Sequence, residues 1–336
     1  MKHLFFFASL IPLLSCKKEA PNPSGFPVIE NGNMLLVCAE GNFRWNNAEA
    51  GLINLKTGEA EWNAFSKKNG RPLGDVLQSS ALWRGKRWLV VNNTGRLEGL
   101  DPATFALLES ITGLTSPRFL QAVSDEKAYC TDLYANKIWI LQAGNSRPAG
   151  SIDMPGWTEE MLFAGNRLWV LCRKKPWVLG INPQTDGVSD TLFLPGNGVS
   201  LAAGSGGNIW VSFEADAGSA PGIGLYHPDS VNIIRRWNGN AAMAAADRLQ
   251  ASASGDTLFF LHGGLCRIQA NEESIFRYTL PAGNWYGLGL DKQRNRLFIS
   301  DVKDYQQDSR IWQLDYSGSV QKEWTGGIIS SRFYFW

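Results

Sequence analysis

The chain has 336 residues, 19% of them charged and 44% hydrophobic, with 35 glycines and a formal net charge of +1. A near-neutral chain without a basic block carries no electrostatic footprint for nucleic acid, and its length is ample for a sizeable core. Cys16, Cys38, Cys130, Cys172 and Cys266 are too widely spaced for a zinc knuckle or a redox CxxC pair; the last four read as small buried thiols on separate strands, with one disulfide left open.

At the N-terminus, Met1-Lys2-His3 precede an apolar run over residues 4–14 that stops at Ser15-Cys16. A bilayer-spanning helix needs about 20 apolar residues, so the run reads as the n-region and h-region of a secretory signal. Leu13-Leu14-Ser15-Cys16 resembles the lipobox of bacterial lipoproteins, whose cysteine thiol is acylated. The resemblance implies a signal peptide over 1–15 and lipidation of Cys16, each buried methylene contributing about 0.8 kcal/mol to membrane attachment. An ordinary cleaved signal is the alternative. Residues 16–25, including Lys17-Lys18-Glu19 and Pro21-Asn22-Pro23, have nothing to bury and read as a tether. The Lys/Glu pair behind the cysteine is similar to the export signal that places Bacteroidetes lipoproteins in the outer membrane, facing the cell exterior.

From residue 26 to 336 one pattern recurs about every 40 residues: a tight-turn signal, then an aromatic or aliphatic anchor. The anchors are Leu35, Trp88, Tyr129, Trp169, Trp210, Phe259 and Phe298. The segments around them alternate or form short apolar runs and lack a 3.6-residue period. The reading is a single all-β domain, a seven-bladed β-propeller of four-stranded blades. Residues 113–152 show one unit: strand RFLQAV, turn SDEK, strand AYCTD, loop LYANK, strand IWILQ, turn AGNSR, strand PAGSID. Turns such as Asp101-Pro102-Ala103-Thr104 and Asn182-Pro183-Gln184-Thr185 end third strands, where proline fixes φ and Asp or Asn bonds locally. Trp88, Trp139, Trp169, Trp210 and Trp312 read as packing between blades.

The ring has two candidate closures. Ile329 to Phe335 echoes Leu114 to Leu120 at the start of a blade, which would make the C-terminal segment the innermost strand of the first blade. Alternatively Pro27-Val28-Ile29 pairs with Met34 to Val37 across Asn31-Gly32-Asn33, leaving the tail as an extra strand.

In a propeller, the loops from second to third strands and the loops between blades emerge at one end of the channel, where a rigid scaffold presents binding groups. These loops are aromatic and amide-rich. Phe43, Trp45, Tyr134, Trp157, Trp285 and Tyr305 supply rings, while Asn42, Asn92, Asp132, Asp301 and Gln306 supply hydrogen-bonding groups. Such a surface suits a large ligand that is flat and apolar on its faces and polar at its fringe.

The strings GRPLGDVLQS (70–79), VVNNTGRLEGLDPATF (90–105), ITGLTSPRFL (111–120), AYCTDLYANKI (128–138), MPGWTEEM (154–161) and LFISDVKDYQQDSRIWQLDYSG (297–318) closely resemble the YncE-like propeller lipoproteins of Bacteroidetes. That family includes BtuG-type surface proteins, which capture cobalamin and pass it to a TonB-dependent outer-membrane transporter. The resemblance implies a non-enzymatic, monomeric propeller with cobalamin or another corrinoid as ligand and such a transporter as partner. The Ala/Gly-rich loop from Glu214 to Gly222 and the short loop at His262-Gly263-Gly264 depart from the family's pattern, and either could reshape the upper face, which leaves a different corrinoid, a haem-like cofactor or a sugar open as ligand.

Two other classes stay open. A calcium-dependent propeller lactonase or lyase would place acids at the channel mouth, and Glu40, Asp75, Asp132, Glu214 and Asp301 lie near strand ends. A protein-interaction platform is the other. The sequence has no GxSxG elbow, HExxH, Walker loop or Rossmann fingerprint, and His227, next to Pro228, reads as a turn residue.

Overall fold

The computed structural model describes residues 28–216, 220–238 and 245–336. The readings of residues 1–15, of the 16–25 tether and of Cys16 as acylation site lie outside the described residues. Seven antiparallel four-stranded sheets stand as blades around a central channel, so the chain is the seven-bladed β-propeller its repeat predicts. Blades 2 to 7 run outward from the channel in chain order over 77–112, 117–153, 158–193, 198–238, 247–277 and 285–328.

The second strand of each blade is covered on both faces. Met34–Ala39 and Ile209–Phe213 are buried throughout, which is why these strands read as apolar runs and not as alternation. All seven anchors lie on second strands and all are buried. Outermost strands such as Gly187–Phe193 face solvent and alternate only loosely. Trp88, Trp169, Trp210 and Trp312 are buried, whereas half-buried Trp139 donates its Nε1–H to Asp132 at 2.9 Å.

The ring closes through the C-terminus. Ser330–Phe335 is the innermost strand of blade 1 and pairs antiparallel with Met34–Ala39, Leu35 opposite Phe335 and Val37 opposite Phe333. Of the alternative pairing segment, the described residues Val28 and Ile29 form no strand; the Val28 carbonyl accepts the Asn54 Nδ2–H at 2.9 Å and Ile29 packs on the core. Against the other side of the closing strand lies the innermost strand of blade 7, where Gly289 permits the close approach: a Cβ there would stand 2.3 Å from the Phe333 Cβ. Gly289→Ala should therefore cost about 2 kcal/mol through overpacking, seen as a lower urea midpoint with an unchanged slope. An unchanged midpoint would show that the seam has slack.

Two features are absent from the strand pattern of the sequence. The outermost strand of blade 1 is only Ala60–Glu61, and a short helix, Ala64–Asn69, follows it and buries Phe65. The Glu49 carboxylate accepts the Phe65 N–H at 3.0 Å, and the helix stops at Gly70 with φ of 68°. Blade 6 likewise ends in a two-residue strand, Phe276–Arg277. Cys38, Cys130, Cys172 and Cys266 are free, buried thiols in four different blades, and burial pushes them up, Cys172 to about 12. His227 acts within its turn, its Nδ1 accepting the Asp229 N–H at 3.2 Å.

Candidate ligand-binding site

Every innermost strand carries one extra residue at its upper end, opposite the end of its second strand. Pairing slips at Leu77/Ser79, Pro117/Leu120, Thr158/Met161, Gly198/Ser200, Asp247/Gln250 and Trp285/Gly287, and in blade 1 it skips Ser331. A bulge unpairs a residue and re-aims its side chain. The residues at these slips include Gln78, Arg118, Glu159, Glu160, Val199, Arg248 and Tyr286. All of them line a well of about 510 Å³ at the upper mouth of the channel, together with Arg332. A sevenfold backbone irregularity thus turns the inner wall into a ring of mostly polar side chains.

Ion pairs build the floor. Arg332 of blade 1 reaches Glu160 of blade 4 at 2.9 Å, bridging the channel, and its guanidinium lies 4.5 Å from the Phe119 ring centroid. Glu160 also accepts the Ser200 hydroxyl at 2.6 Å and the Leu201 N–H at 2.8 Å, and the Ser200 oxygen accepts the Leu249 N–H at 3.1 Å. Burial alone would lower the pKa of Arg332, but Glu160, Tyr334 and Asp247 reverse the effect and hold it above its ordinary value. Arg118 pairs with Glu159 at 2.9 Å and donates to the Gln78 amide oxygen, tying blades 2, 3 and 4. Arg173 approaches Glu214 at 3.8 Å. Two residues below Arg332 on the same strand, Tyr334 lines a separate lower cavity of about 300 Å³.

Around the well stand exposed rings. Phe43 is 54% exposed, Trp45 75%, Tyr134 61%, Trp157 37% and Tyr305 42%. Phe43, Tyr134 and Trp157 line the well itself, as does Asn92. Tyr305 meets Tyr286 edge-on at 5.8 Å, and Asn42 donates to the Tyr305 carbonyl at 2.8 Å, so these two join the loops of blades 1 and 7 at the rim. Trp45 is the most exposed of the five.

Other residues singled out from the sequence serve the scaffold. The Asp132 carboxylate accepts the backbone N–H groups of Thr115, Ser116, Tyr134 and Ala135, stapling an interblade loop to a second-strand loop. Asp301 does the same for Asn284 and Lys303 and pairs with Arg310 at 3.1 Å. The Asn92 amide donates to the Pro117 carbonyl at 2.9 Å. Gln306 sits in an exposed turn capped by Asp304, away from the well. Trp285 packs on Trp312 at 5.1 Å and lines a groove of about 430 Å³ between blades 6 and 7, opened by the short Gly263-Gly264 turn.

Sequence reasoning missed Arg332, Gln78, Asp247 and Arg248 as site residues. The available signal was a polar residue or doublet at the start of an innermost strand, where alternation breaks. Among the described residues no group of three or more His, Cys, Asp or Glu is arranged to hold a metal ion.

The family described as a domain of unknown function, DUF5074, matches residues 33–332. No curated protein matches the chain. Among solved structures, a quinoprotein alcohol dehydrogenase-like protein of Bacteroides thetaiotaomicron superposes with a TM-score of 0.70 at 13% identity, covering 90% of this chain and 78% of that one. The Kuenenia stuttgartiensis hydrazine synthase gives 0.66 at 10% identity, covering 75% and 87%. A dihydro-heme d1 dehydrogenase in complex with DHE gives 0.62 at 10% identity, covering 92% and 77%. At identities this low, these superpositions show a shared fold alone.

Proposed function

The chain belongs to the DUF5074 family, and from the shape of its upper face we propose that it is a non-enzymatic capture protein for a flat ligand fringed with hydrogen-bonding groups, a corrinoid such as cobalamin. The observation that carries this reading is the juxtaposition of exposed rings, Phe43, Trp45, Tyr134, Trp157 and Tyr305, with a polar well bearing four arginines and four carboxylates. Rings offer stacking area at low ordering cost, and the well satisfies donors and acceptors alike. A well of about 510 Å³ takes the fringe of a corrinoid and not the whole molecule, so the macrocycle lies across the mouth on the rim rings. One fold neighbour is named for a haem-type substrate, which belongs to the same broad class of ligand.

In this reading Cys16 carries the lipid anchor, the tether gives the propeller reach at the outer membrane, and a TonB-dependent transporter receives the ligand. The backbone-capping roles of Asp132 and Asp301 keep the loops preformed. The test is calorimetric titration of cyanocobalamin into residues 17–336, with tryptophan fluorescence alongside. Saturable one-to-one binding at micromolar Kd or better is expected, and Trp157→Ala should weaken it about tenfold, or about 1.4 kcal/mol. Absence of both heat and quenching would sink corrinoid capture and return the propeller lactonase and lyase classes to first place.

A further inference from the structure

The charges of the well are distributed unevenly. Arg118 of blade 3, Arg173 of blade 4 and Arg332 of blade 1, which reaches across the channel to blade 4, each have a carboxylate partner. On the side of blades 6, 7 and 1 stand Asp247, Arg248 and Glu40, all lining the well. Arg248 is only 7% exposed, and its guanidinium lies 4.8 Å from the Tyr286 ring centroid, with Nε donating to the Tyr286 carbonyl at 3.2 Å. Among the described residues its two terminal nitrogens have no carboxylate partner. Asp247 accepts the Arg248 backbone N–H at 2.7 Å, and neither it nor Glu40 has a cation within ion-pair distance among the described residues. The internal stretches outside the description, 217–219 and 239–244, contain no charged residue.

A charge withdrawn from water without an ion-pair partner is costly, so the buried Arg248 guanidinium is the group a ligand satisfies, with the half-buried Asp247 and Glu40 lining the same well. One guanidinium flanked by two carboxylates disfavours a bare oxyanion, which both acids repel, and a bare cation, which Arg248 repels. A planar group with an acceptor oxygen and an N–H donor side by side matches all three, and the primary carboxamide is that group. We propose that Arg248, Asp247 and Glu40 form a carboxamide-reading subsite, Arg248 donating to the amide oxygen, the two carboxylates accepting from the amide nitrogen, and Tyr286 buttressing the guanidinium. This deepens the capture reading and rests on it for its biological meaning, since corrinoids carry primary amides at their periphery; the chemistry of the subsite is testable without a corrinoid.

The probes are nicotinamide and nicotinate, one ring bearing either the amide or the carboxylate, titrated into the full chain and followed by ligand-observed NMR. Nicotinamide should bind saturably and nicotinate about tenfold more weakly. Arg248→Gln should weaken nicotinamide by about tenfold, and Glu40→Gln with Asp247→Asn, which preserves size and removes both negative charges, should erase the discrimination against nicotinate. Nicotinate binding as tightly as nicotinamide, or neither set of substitutions changing the ratio, overturns the subsite. The double variant keeps the test decisive where Arg248→Gln unfolds. Selectivity for nicotinamide without cyanocobalamin binding would remove the corrinoid and keep the subsite; cyanocobalamin binding without that selectivity would do the reverse.

Discussion

Deletion of residues 328–336 should abolish cooperative unfolding of the propeller. The segment contains the whole innermost strand of blade 1, so removing it strips Met34–Ala39 of its inner ladder partner and opens the ring between blades 7 and 1. It also deletes Phe333, which packs with Leu35, Val37 and Ile53 of its own blade and with Phe298 across the seam. A domain of this kind is stable by about 5 to 15 kcal/mol in total, and the loss of an inner strand with its buried contacts is of that order. Calorimetry or urea unfolding of the truncated chain checks it. A truncated chain that melts like the intact one would show that the C-terminal strand is an accessory.

The second large effect is expected at the channel-bridging ion pair. Arg332 and Glu160 side chains are 14% and 13% exposed, so both charges are mostly withdrawn from water. Arg332→Met leaves the Glu160 carboxylate with the Ser200 hydroxyl and the Leu201 N–H but no cation, and should cost about 3 kcal/mol. Replacing both residues by Met removes both charges and should recover most of that loss, because breaking a buried pair costs more than exchanging it for apolar volume. The double-mutant cycle in urea gives the coupling directly. Single variants within about 0.5 kcal/mol of the parent, in the range of ordinary surface substitutions, would show the pair to be solvent-screened and the floor of the well to be held by other contacts.

The fold was legible because each second strand is shielded on both faces, which prints the same apolar signature from Leu35 to Phe298. The rim was legible in part: rings in exposed loops are conspicuous, and Phe43, Tyr134 and Trp157 do meet at the mouth. The interior of the well was not. Arg118, Glu160, Arg248 and Arg332 belong to four different blades, and only ring closure and the bulge at each innermost strand bring them together. Asp132 and Asp301 illustrate the converse: an acid in a loop looks like a ligand-binding group until its neighbours' N–H groups are placed around it.

Closure by the last strand sets an order of events during synthesis. A ribosome delivers the chain from its N-terminus, and Met34–Ala39, the first of the described strands, waits for an inner partner that is translated after the strands of the other six blades. Until Ser330–Phe335 is available, Glu160 lacks its Arg332 partner and the sheet of blade 1 lacks its innermost strand. The residue that completes the binding well, Arg332, is thus delivered in the same step that locks the ring. A prematurely terminated chain would lack the floor of the well as well as the fold.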